Sequence, residues 1–366
     1  MHPLLPFYAS FSLIALMGLG MRDAVQRSVI WLAAWGAMGT VLIAASFRPI
    51  AGDTWRYNLT FQRIRTQPLF EVLSEADDNR LFVAVNWFLG QFGSSPLWLI
   101  IPTTLFCGFM LWYSLRKLLP PVHIAIAILL YSVYPYYVFY IASGMKQALA
   151  MAMLLQGYIS LRNGKWQVLI WVGLAVLLHS GSALVLPFLA LHWLTWRPGF
   201  GYRRALGLSL SLLFLTTLMS LTNLNQAVLA PLQSYFVVSE NYEIYFMDAA
   251  EVNYRAGFRP DFTIFSLFPL FAALWLRNKG RGLSPNGSGW WLNYYILLAS
   301  LYQMFAFAPF ADRFASFSWY LIPLILMIML AESGRRRDLQ LIVLVFAIFN
   351  IIILQFYTGG GLRFLS

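Results

Sequence analysis

The chain has 366 residues, of which 60% are hydrophobic and only 11% charged, and its formal net charge is +11. Soluble domains carry about 25% charged residues, so this composition excludes an ordinary water-soluble protein. A disordered chain is excluded by the apolar content, and a disulfide scaffold by the single cysteine, Cys107. The positive charge is therefore interpreted as membrane topology and not as a sign of a nucleic-acid partner.

Apolar runs of about 20 residues, the length that crosses a bilayer as a helix, recur along the whole chain. Ten of them predict full transmembrane helices: 4–20, 28–47, 96–114, 121–141, 143–161, 204–222, 262–276, 291–309, 315–331 and 339–357. The segment 81–93 is too short to span and predicts an interfacial or re-entrant helix. The predicted fold is an all-α polytopic integral membrane protein, with residues 1–366 as a single transmembrane domain.

The apolar segment 167–194 is exceptional because His179-Ser180-Gly181-Ser182 interrupts it. It predicts either one steep span or a re-entrant or hairpin segment that returns to the same side. Most of the 25 basic residues lie in six short connectors, at 22–27, 116–117, 162–165, 197–204, 277–281 and 335–337. The positive-inside rule places these connectors on the cytoplasmic face. They all reach that face only if 167–194 makes no net crossing, which favours the hairpin and puts both termini outside.

The same topology makes 48–80 and 223–260 large extracytoplasmic loops. Both loops mix carboxylates, guanidiniums and aromatic rings. This mixture suits the recognition of sugars and phosphates, because rings stack on pyranoses and arginine matches phosphate oxygens bidentately. The alternative interpretation is that any loop in water is polar and that these charges are merely solvated. The first apolar run has no basic segment before it, so we expect no cleavable signal peptide.

Ionisable residues at or within membrane segments are costly and tend to be functional. Lys146 lies at the predicted outer start of a span, where it could bind a phosphate or simply extend to the interface. His179 lies at the interruption, as a catalyst or as a core histidine. The pair Asp312-Arg313 occupies a short outer connector and could bind substrate or neutralise itself.

Several motifs are absent from the sequence: the Walker A motif, His-Glu-x-x-His, Cys-x-x-Cys, Gly-x-Ser-x-Gly and Asp-x-Asp. The chain therefore lacks the sequence signs of an ATP-driven pump, a zinc site, an elbow-type serine hydrolase or a metal-dependent sugar-nucleotide transferase. We expect no cofactor and no metal. Nucleotide-activated sugars are cytoplasmic, so an outer site would use a lipid-linked substrate.

Several motifs together carry a family resemblance. Gly52-Asp53-Thr54-Trp55-Arg56-Tyr57 with Phe61 resembles the start of the first outer loop in EpsG-type polysaccharide polymerases. Ser143 to Ala150 is similar to that family's Gly-Ile-Arg-Gln-Ala-Leu-Ala helix start, with Lys146 in place of the arginine. Asn163-Gly164-Lys165, the run from Leu174 to Leu184 around His179, and Asp312-Arg313 with Tyr320 match later features. Lysine keeps the charge at position 146 but loses the planar fork of arginine.

The resemblance implies a Wzy-like enzyme with the GT-C-like fold of glycan polymerases. It would be a metal-independent glycosyltransferase that joins oligosaccharide repeat units carried on undecaprenyl pyrophosphate, at the periplasmic face of the bacterial inner membrane. Asp53 is the first candidate base and His179 the second. The candidate substrate-binding residues are Arg56, Tyr57, Lys146, Gln147, Arg255, Arg259, Asp312 and Arg313. The implied partners are the lipid-linked oligosaccharide and membrane lipid, with a chain-length regulator protein as a further candidate.

Three other functions remain open at this point. An O-antigen-ligase-like transferase would use the same lipid donor and similar outer arginines. A transporter or flippase for lipid-linked sugars tends to show internal repeats with matching discontinuous helices, whereas this chain has one broken stretch without a counterpart. A membrane O-acyltransferase would need a histidine in a polar setting, and the sequence gives no supporting His/Asn pair.

Overall fold

The computed structural model describes residues 24–48, 50, 52–76, 78–197, 199–229, 257–278, 283–334 and, with gaps, 341–350. The predicted span 4–20, much of 339–357 and most of the loop 223–260 lie outside the described residues. Every regular element of the described part is helical. The chain divides into two compact units, Met1–Ser182 with Gly334–Ser366 and Ala183–Ser333.

The first unit contains nine of the described helices. They are α1 (Ala24–Ser46), α2 (Asp53–Ile64), α3 (Leu69–Ser74), α4 (Arg80–Gly90), α5 (Leu97–Leu118), α6 (Pro121–Ser132), α7 (Pro135–Ala142), α8 (Met145–Arg162) and α9 (Val168–Leu178). Helix α8 lies in the core of this unit: it is buried along nearly its whole length and packs against α5, α7 and α9. The far end of α8 is fixed to α5, because Gln156 accepts a 2.9 Å hydrogen bond from Lys117 and donates to the Ser114 hydroxyl.

The second unit begins within a short 3₁₀ helix, Ser180–Val185. Its described helices are α10 (Leu186–Thr195), α11 (Tyr202–Leu221), α12 (Leu224–Leu229), α13 (Pro260–Ser266), α14 (Phe268–Asn278), α15 (Ser288–Met304), α16 (Asp312–Trp319) and α17 (Ile322–Ser333). Helix α15 forms the core of this unit, is buried throughout and packs against α10, α11, α16 and α17. Two hydrogen bonds fix α13 around Ser266, one from Tyr295 to its carbonyl and one from Trp319 to its hydroxyl, both at 2.7 Å.

Four helices of the described residues are long and apolar enough to cross a membrane. They are Ser28–Ser46, Leu97–Leu118, Tyr202–Leu221 and Asp312–Ser333, and each overlaps a predicted span. The predicted span 121–141 is the bent pair α6 and α7, which would make a fifth. This supports a multi-pass membrane protein, and the count of ten spans stays a prediction.

Three of the other predicted spans show why fewer than ten helices are long and apolar enough to cross a membrane. Helix α8 is long enough to cross but carries Lys146, Gln147, Gln156 and Arg162, which make it more polar than an ordinary span. The predicted span 262–276 is divided into α13 and α14. The predicted span 291–309 ends early, since α15 stops at Met304.

The structure places an amphipathic helix inside the predicted loop 48–80. Helix α2 is polar on average, but Thr54, Phe61 and Ile64 are buried along one side. Positions separated by seven and then three residues share a helix face, so this spacing lets α2 pack while its other residues stay accessible. Helix α4 realises the predicted short helix of 81–93 and packs against α2.

Candidate functional site

The start of α2 presents a group of predicted site residues. Gly52 precedes the helix at φ 57°, ψ −132°, a conformation that glycine adopts far more readily than other residues. Asp53 is the first residue of the helix, where the helix macrodipole stabilises a carboxylate. Arg56 and Tyr57 follow three and four residues later, on the same side as Asp53. Arg56 is exposed, whereas Asp53 and Tyr57 are half-buried.

The start of α8 is brought to this group across a large sequence separation. The Lys146 ammonium lies 5.6 Å from the centre of the Tyr57 ring, within the range of a cation–π contact. Phe82 of α4 lies edge-on to the same ring, with the two ring centroids 5.3 Å apart. Gln147 is buried, with 4% of its surface exposed. The structure therefore joins four predicted residues, Asp53, Arg56, Tyr57 and Lys146, in one place.

Lys146 occupies an unusual position for a lysine. It is the second residue of an 18-residue helix whose first turn has no acidic residue and whose N-cap, Gly144, makes no side-chain hydrogen bond. The N-terminal end of a helix carries partial positive charge, so a cation there is unfavourable for helix stability. The helix dipole thus gives no reason for a lysine at this position, and the binding of an anion by Lys146 stays a prediction.

His179 lies at the corner where α9 ends, as the interruption of the apolar segment predicts. Its backbone is extended, its N–H donates to the Ala175 carbonyl, and its own carbonyl accepts from the Ser182 N–H, both at 2.9 Å. The imidazole lies against Gly181, where an added Cβ would be 2.9 Å from Nε2. Glycine at 181 thus leaves room for the ring. Whether 167–194 crosses once or returns stays a prediction.

Asn79 holds this corner and was not among the predicted residues. Its side-chain oxygen accepts a 2.9 Å hydrogen bond from the Ser180 N–H, and the Ser180 hydroxyl lies 3.3 Å from the same oxygen and 3.4 Å from Asp78. Asn79 is 6% exposed and precedes α4 in the left-handed conformation, at φ 52°. Asparagine tolerates that conformation better than most residues. An asparagine directly before a predicted helix was therefore the one feature of the sequence that pointed to this position.

We expect Asn79→Ala to destabilise the protein by about 1–3 kcal/mol, because alanine loses the acceptor for Ser180 and disfavours the left-handed backbone. Asn79→Gly should cost less, since glycine relieves the backbone and loses only the acceptor. Thermal unfolding of the purified protein in detergent measures the difference. Equal midpoints for wild type and Asn79→Ala would contradict this role of Asn79.

A second group of predicted residues lies in the second unit. Arg259 binds the Asp261 carboxylate through two hydrogen bonds of 2.9 and 2.5 Å, and its guanidinium carbon lies 3.8 Å from the Phe262 ring centre. The segment is anchored by the Gly257 N–H, which donates to the Ala306 carbonyl at 2.9 Å. Arg259 is 17% exposed and Asp261 55% exposed, so the pair is open on one side.

Asp312 and Arg313 begin α16 in the same unit, and both are half-buried. The Arg313 guanidinium carbon lies 5.2 Å from the Phe310 ring centre, and the Arg313 N–H donates to the Phe310 carbonyl at 2.9 Å. Phe310 has φ 57°, which is a strained conformation for a bulky residue. Strain of this kind is concentrated at functional sites. Helix α13, which begins directly after Arg259, packs against α16, and this contact brings the two parts of the group near each other.

The pairing with Arg259 has a pH-dependent consequence. The hydrogen bond from Arg259 lowers the pKa of Asp261 below its usual 3.8. A carboxyl group with a lowered folded-state pKa stabilises the fold above its unfolded pKa, and this stabilisation is lost as the pH falls through the folded value. Because Asp261 is more than half exposed, we expect Asp261→Asn to cost less than about 1 kcal/mol at pH 7. Thermal unfolding of both proteins should show this difference vanishing well below pH 3.8. A difference that is constant across this range would contradict the prediction.

The structure also forms a His/Asn pair that sequence spacing could not reveal. His192 Nδ1 lies 2.9 Å from Asn293 Nδ2, and the Ser209 hydroxyl donates to Asn293 Oδ1 at 2.7 Å. His192 and Asn293 are both 0% exposed, and the imidazole packs against Trp290 and Trp196. Because both side chains are fully enclosed, the pair adds no support to the acyltransferase interpretation.

Arg255, the remaining predicted substrate-binding residue, lies outside the described residues. Across the part of the chain that the structure describes, no three His, Cys, Asp or Glu side chains are grouped so that they could hold a metal ion. Metal independence itself stays a prediction.

Comparison with protein families gives a match over most of the chain. The model of the EpsG family matches residues 32–364, which is nearly the whole chain and includes both groups of site residues. Searches of curated proteins and of solved structures give no match. Since the match covers far more than half of the sequence, the chain belongs to the EpsG family.

Proposed function

We propose that this protein is a polysaccharide polymerase that joins undecaprenyl-pyrophosphate-linked repeat units at the periplasmic face of the inner membrane. Membership of the EpsG family supports a glycosyltransferase-like polymerase in general terms. The apolar helices support a multi-pass membrane protein. The lipid carrier, the membrane face and the roles of single residues are our proposal.

The observation that carries the proposal is the meeting of α2 and α8. A carboxylate begins one helix, a cation begins the other, and the ring of Tyr57, one turn after Asp53, lies 5.6 Å from the Lys146 ammonium. Glycosyl transfer from a pyrophosphate needs a base for the incoming hydroxyl and positive charge for the leaving group. We assign these two roles to Asp53 and Lys146, which lie in the same unit.

The reaction would proceed as a displacement at the anomeric carbon of the growing chain. The acceptor hydroxyl of the next lipid-linked unit forms the new C–O bond, and Asp53 takes its proton. The bond between the anomeric carbon and the pyrophosphate oxygen breaks, and undecaprenyl pyrophosphate leaves with the electron pair. Lys146, at the positive end of α8, stabilises the negative charge that develops on the pyrophosphate. His179 is the alternative base.

The other residues would bind and orient the substrate. The half-buried Tyr57 ring offers an apolar face on which a pyranose can stack, and the exposed Arg56 can approach a phosphate. In the second unit, Arg259 and Arg313 offer guanidiniums backed by the aromatic rings of Phe262 and Phe310. Taken by itself, this second group suits the binding of a glycan or of a pyrophosphate.

The glycan size profile of the host tests the proposal. Surface and lipid-linked glycans are compared after deletion of the gene and after its restoration as wild type, His179→Ala or Arg313→Ala. A polymerase requires that deletion leave single repeat units and that wild type rebuild a long ladder. Full-length polymer accumulating on its lipid carrier would instead identify a ligase, and an unchanged ladder would overturn the enzyme assignment.

Deletion of a flippase gene would also stop polymer formation in cells, so a second assay is needed. Purified protein in detergent is supplied with lipid-linked repeat units extracted from the deletion strain. A polymerase converts these units into a ladder without any membrane, whereas a flippase cannot. Failure of the folded, purified protein to form a ladder, together with restoration of the polymer in cells, would identify transport as the function.

A further inference from the structure

Arg48 is a buried cation to which the proposed reaction gives no part. It follows α1, and only 8% of its surface is exposed. Its guanidinium donates to the Ala45 carbonyl at 3.1 Å and to the Thr54 hydroxyl. No carboxylate in the described part of the chain pairs with it. Burial lowers the pKa of Arg48 to about 10, so the group is still cationic at neutral pH.

The Thr54 hydroxyl continues the connection to a third segment. Thr54 is 1% exposed, and its hydroxyl, which accepts from Arg48, donates to the Ala142 carbonyl at 3.4 Å. Ala142 is the last residue of α7, and only Ser143 and Gly144 separate it from α8. One hydroxyl therefore joins the end of α1, the first turn of α2 and the chain reversal that leads into α8.

The two residues of the proposed chemistry lie on either side of this connection. Asp53 is the neighbour of Thr54 in α2, and Lys146 follows Ala142 by four residues. Arg48 also lies in electrostatic range of Tyr57, the residue over which Lys146 lies. A buried guanidinium is costly unless its hydrogen bonds are made, and an apolar residue could fill the same volume at lower cost. Arg48 is thus better explained by the position that it imposes than by stability alone.

We propose that Arg48 and Thr54 are positioning residues, which hold the start of α2 against the reversal before α8 and so set the placement of Asp53 relative to Lys146. The inference rests on the proposed function, because the placement matters only if these two residues act in the transfer. Neither Arg48 nor Thr54 needs to touch the substrate. They control the distance and orientation between Asp53 and Lys146. A misplacement of about 1 Å between reacting groups can lower the rate on the order of 100-fold.

The test compares Thr54→Val, which keeps the shape and removes the hydroxyl, with Thr54→Ser, which keeps the hydroxyl. Purified variants in detergent are assayed on lipid-linked repeat units extracted from the deletion strain, and kcat and KM are expressed per folded protein. Thr54→Val should lower kcat by about 10- to 100-fold with little change in KM. Thr54→Ser should restore kcat. Arg48→Lys keeps the charge but loses the planar guanidinium with its several donors, and it should lower kcat in the same way. This variant tests the positioning role if Thr54→Val does not fold.

Each outcome separates this inference from the proposed function. Wild-type kcat in Thr54→Val and Arg48→Lys, in an assay where Asp53→Asn is inactive, would overturn the positioning role and leave the function standing. An equal loss in Thr54→Val and Thr54→Ser would also overturn it, because the hydroxyl would then be irrelevant. Normal polymerisation by both Asp53→Asn and Lys146→Met would refute the assigned chemistry and the inference with it.

Discussion

Replacing Asp53 by asparagine should lower the rate of polymerisation by about 10²- to 10⁴-fold, the usual contribution of a general base. Asparagine has the same shape and can still accept a hydrogen bond at the start of α2, so the helix should form normally. It cannot take the proton of the acceptor hydroxyl. The measurement is the initial rate of ladder formation by equal amounts of folded protein in detergent.

The matched control for this variant is Glu75→Gln. Glu75 is an exposed carboxylate at the end of α3, in the same predicted outer segment, and it should be replaceable without loss of rate. A wild-type rate in Asp53→Asn combined with a large loss in His179→Ala would transfer the role of base to the histidine. Wild-type rates in both variants would leave the transfer without either proposed base.

The sequence predicted the helical membrane fold and the break at His179, because length, hydropathy and local chemistry determine these features. The bend between α6 and α7 has such a local cause, although we predicted a continuous span there. Tyr134 precedes Pro135 and is extended, at φ −85° and ψ 108°, as the ring of a following proline favours. The pair is bent by 69° at this point. Attention to the Tyr-Pro step would have predicted the break.

Helix α2 shows what a search for apolar runs misses. Its average composition is polar, so 48–80 was predicted as a loop, although Thr54, Phe61 and Ile64 bury one side of a regular helix. The helical pattern matters for the proposed function because it fixes Asp53 and Tyr57 one turn apart. As members of an irregular loop, the same residues would have had no defined spacing.

Contacts between residues far apart in the chain could not be predicted from the sequence. Thr54 and Ala142 are 88 residues apart, Ser180 and Asn79 are 101 apart, and His192 and Asn293 are also 101 apart. Spacing along the chain determines neighbours only within a helix, over three or four residues. Family resemblance found Asp53, Lys146 and His179 as separate motifs, but only the fold shows that Arg48 donates to Thr54, beside Asp53, and that Asn79 accepts from Ser180, beside His179.

Lys146→Met should lower kcat by about 10²- to 10³-fold, which is the usual cost of removing one group that stabilises developing negative charge. Lys146→Arg should keep most of the activity, since arginine retains the charge and adds a bidentate fork for phosphate. The control is Lys165→Met, an exposed lysine just beyond the opposite end of α8, which should leave kcat unchanged. These rates are measured in the detergent assay on extracted lipid-linked units.

Stability distinguishes a functional lysine from a structural one at this position. A cation in the first turn of α8 interacts unfavourably with the helix macrodipole, which destabilises the fold by about 0.3–1 kcal/mol. The contact of Lys146 with the Tyr57 ring stabilises the fold by a similar amount. Lys146→Met should therefore unfold at nearly the wild-type temperature while it loses most of its activity. A variant that loses stability, and whose activity falls only in proportion to the folded fraction, would make Lys146 a structural residue. A stable and inactive variant would mean that the lysine is kept at an unfavourable position because its charge acts on the substrate.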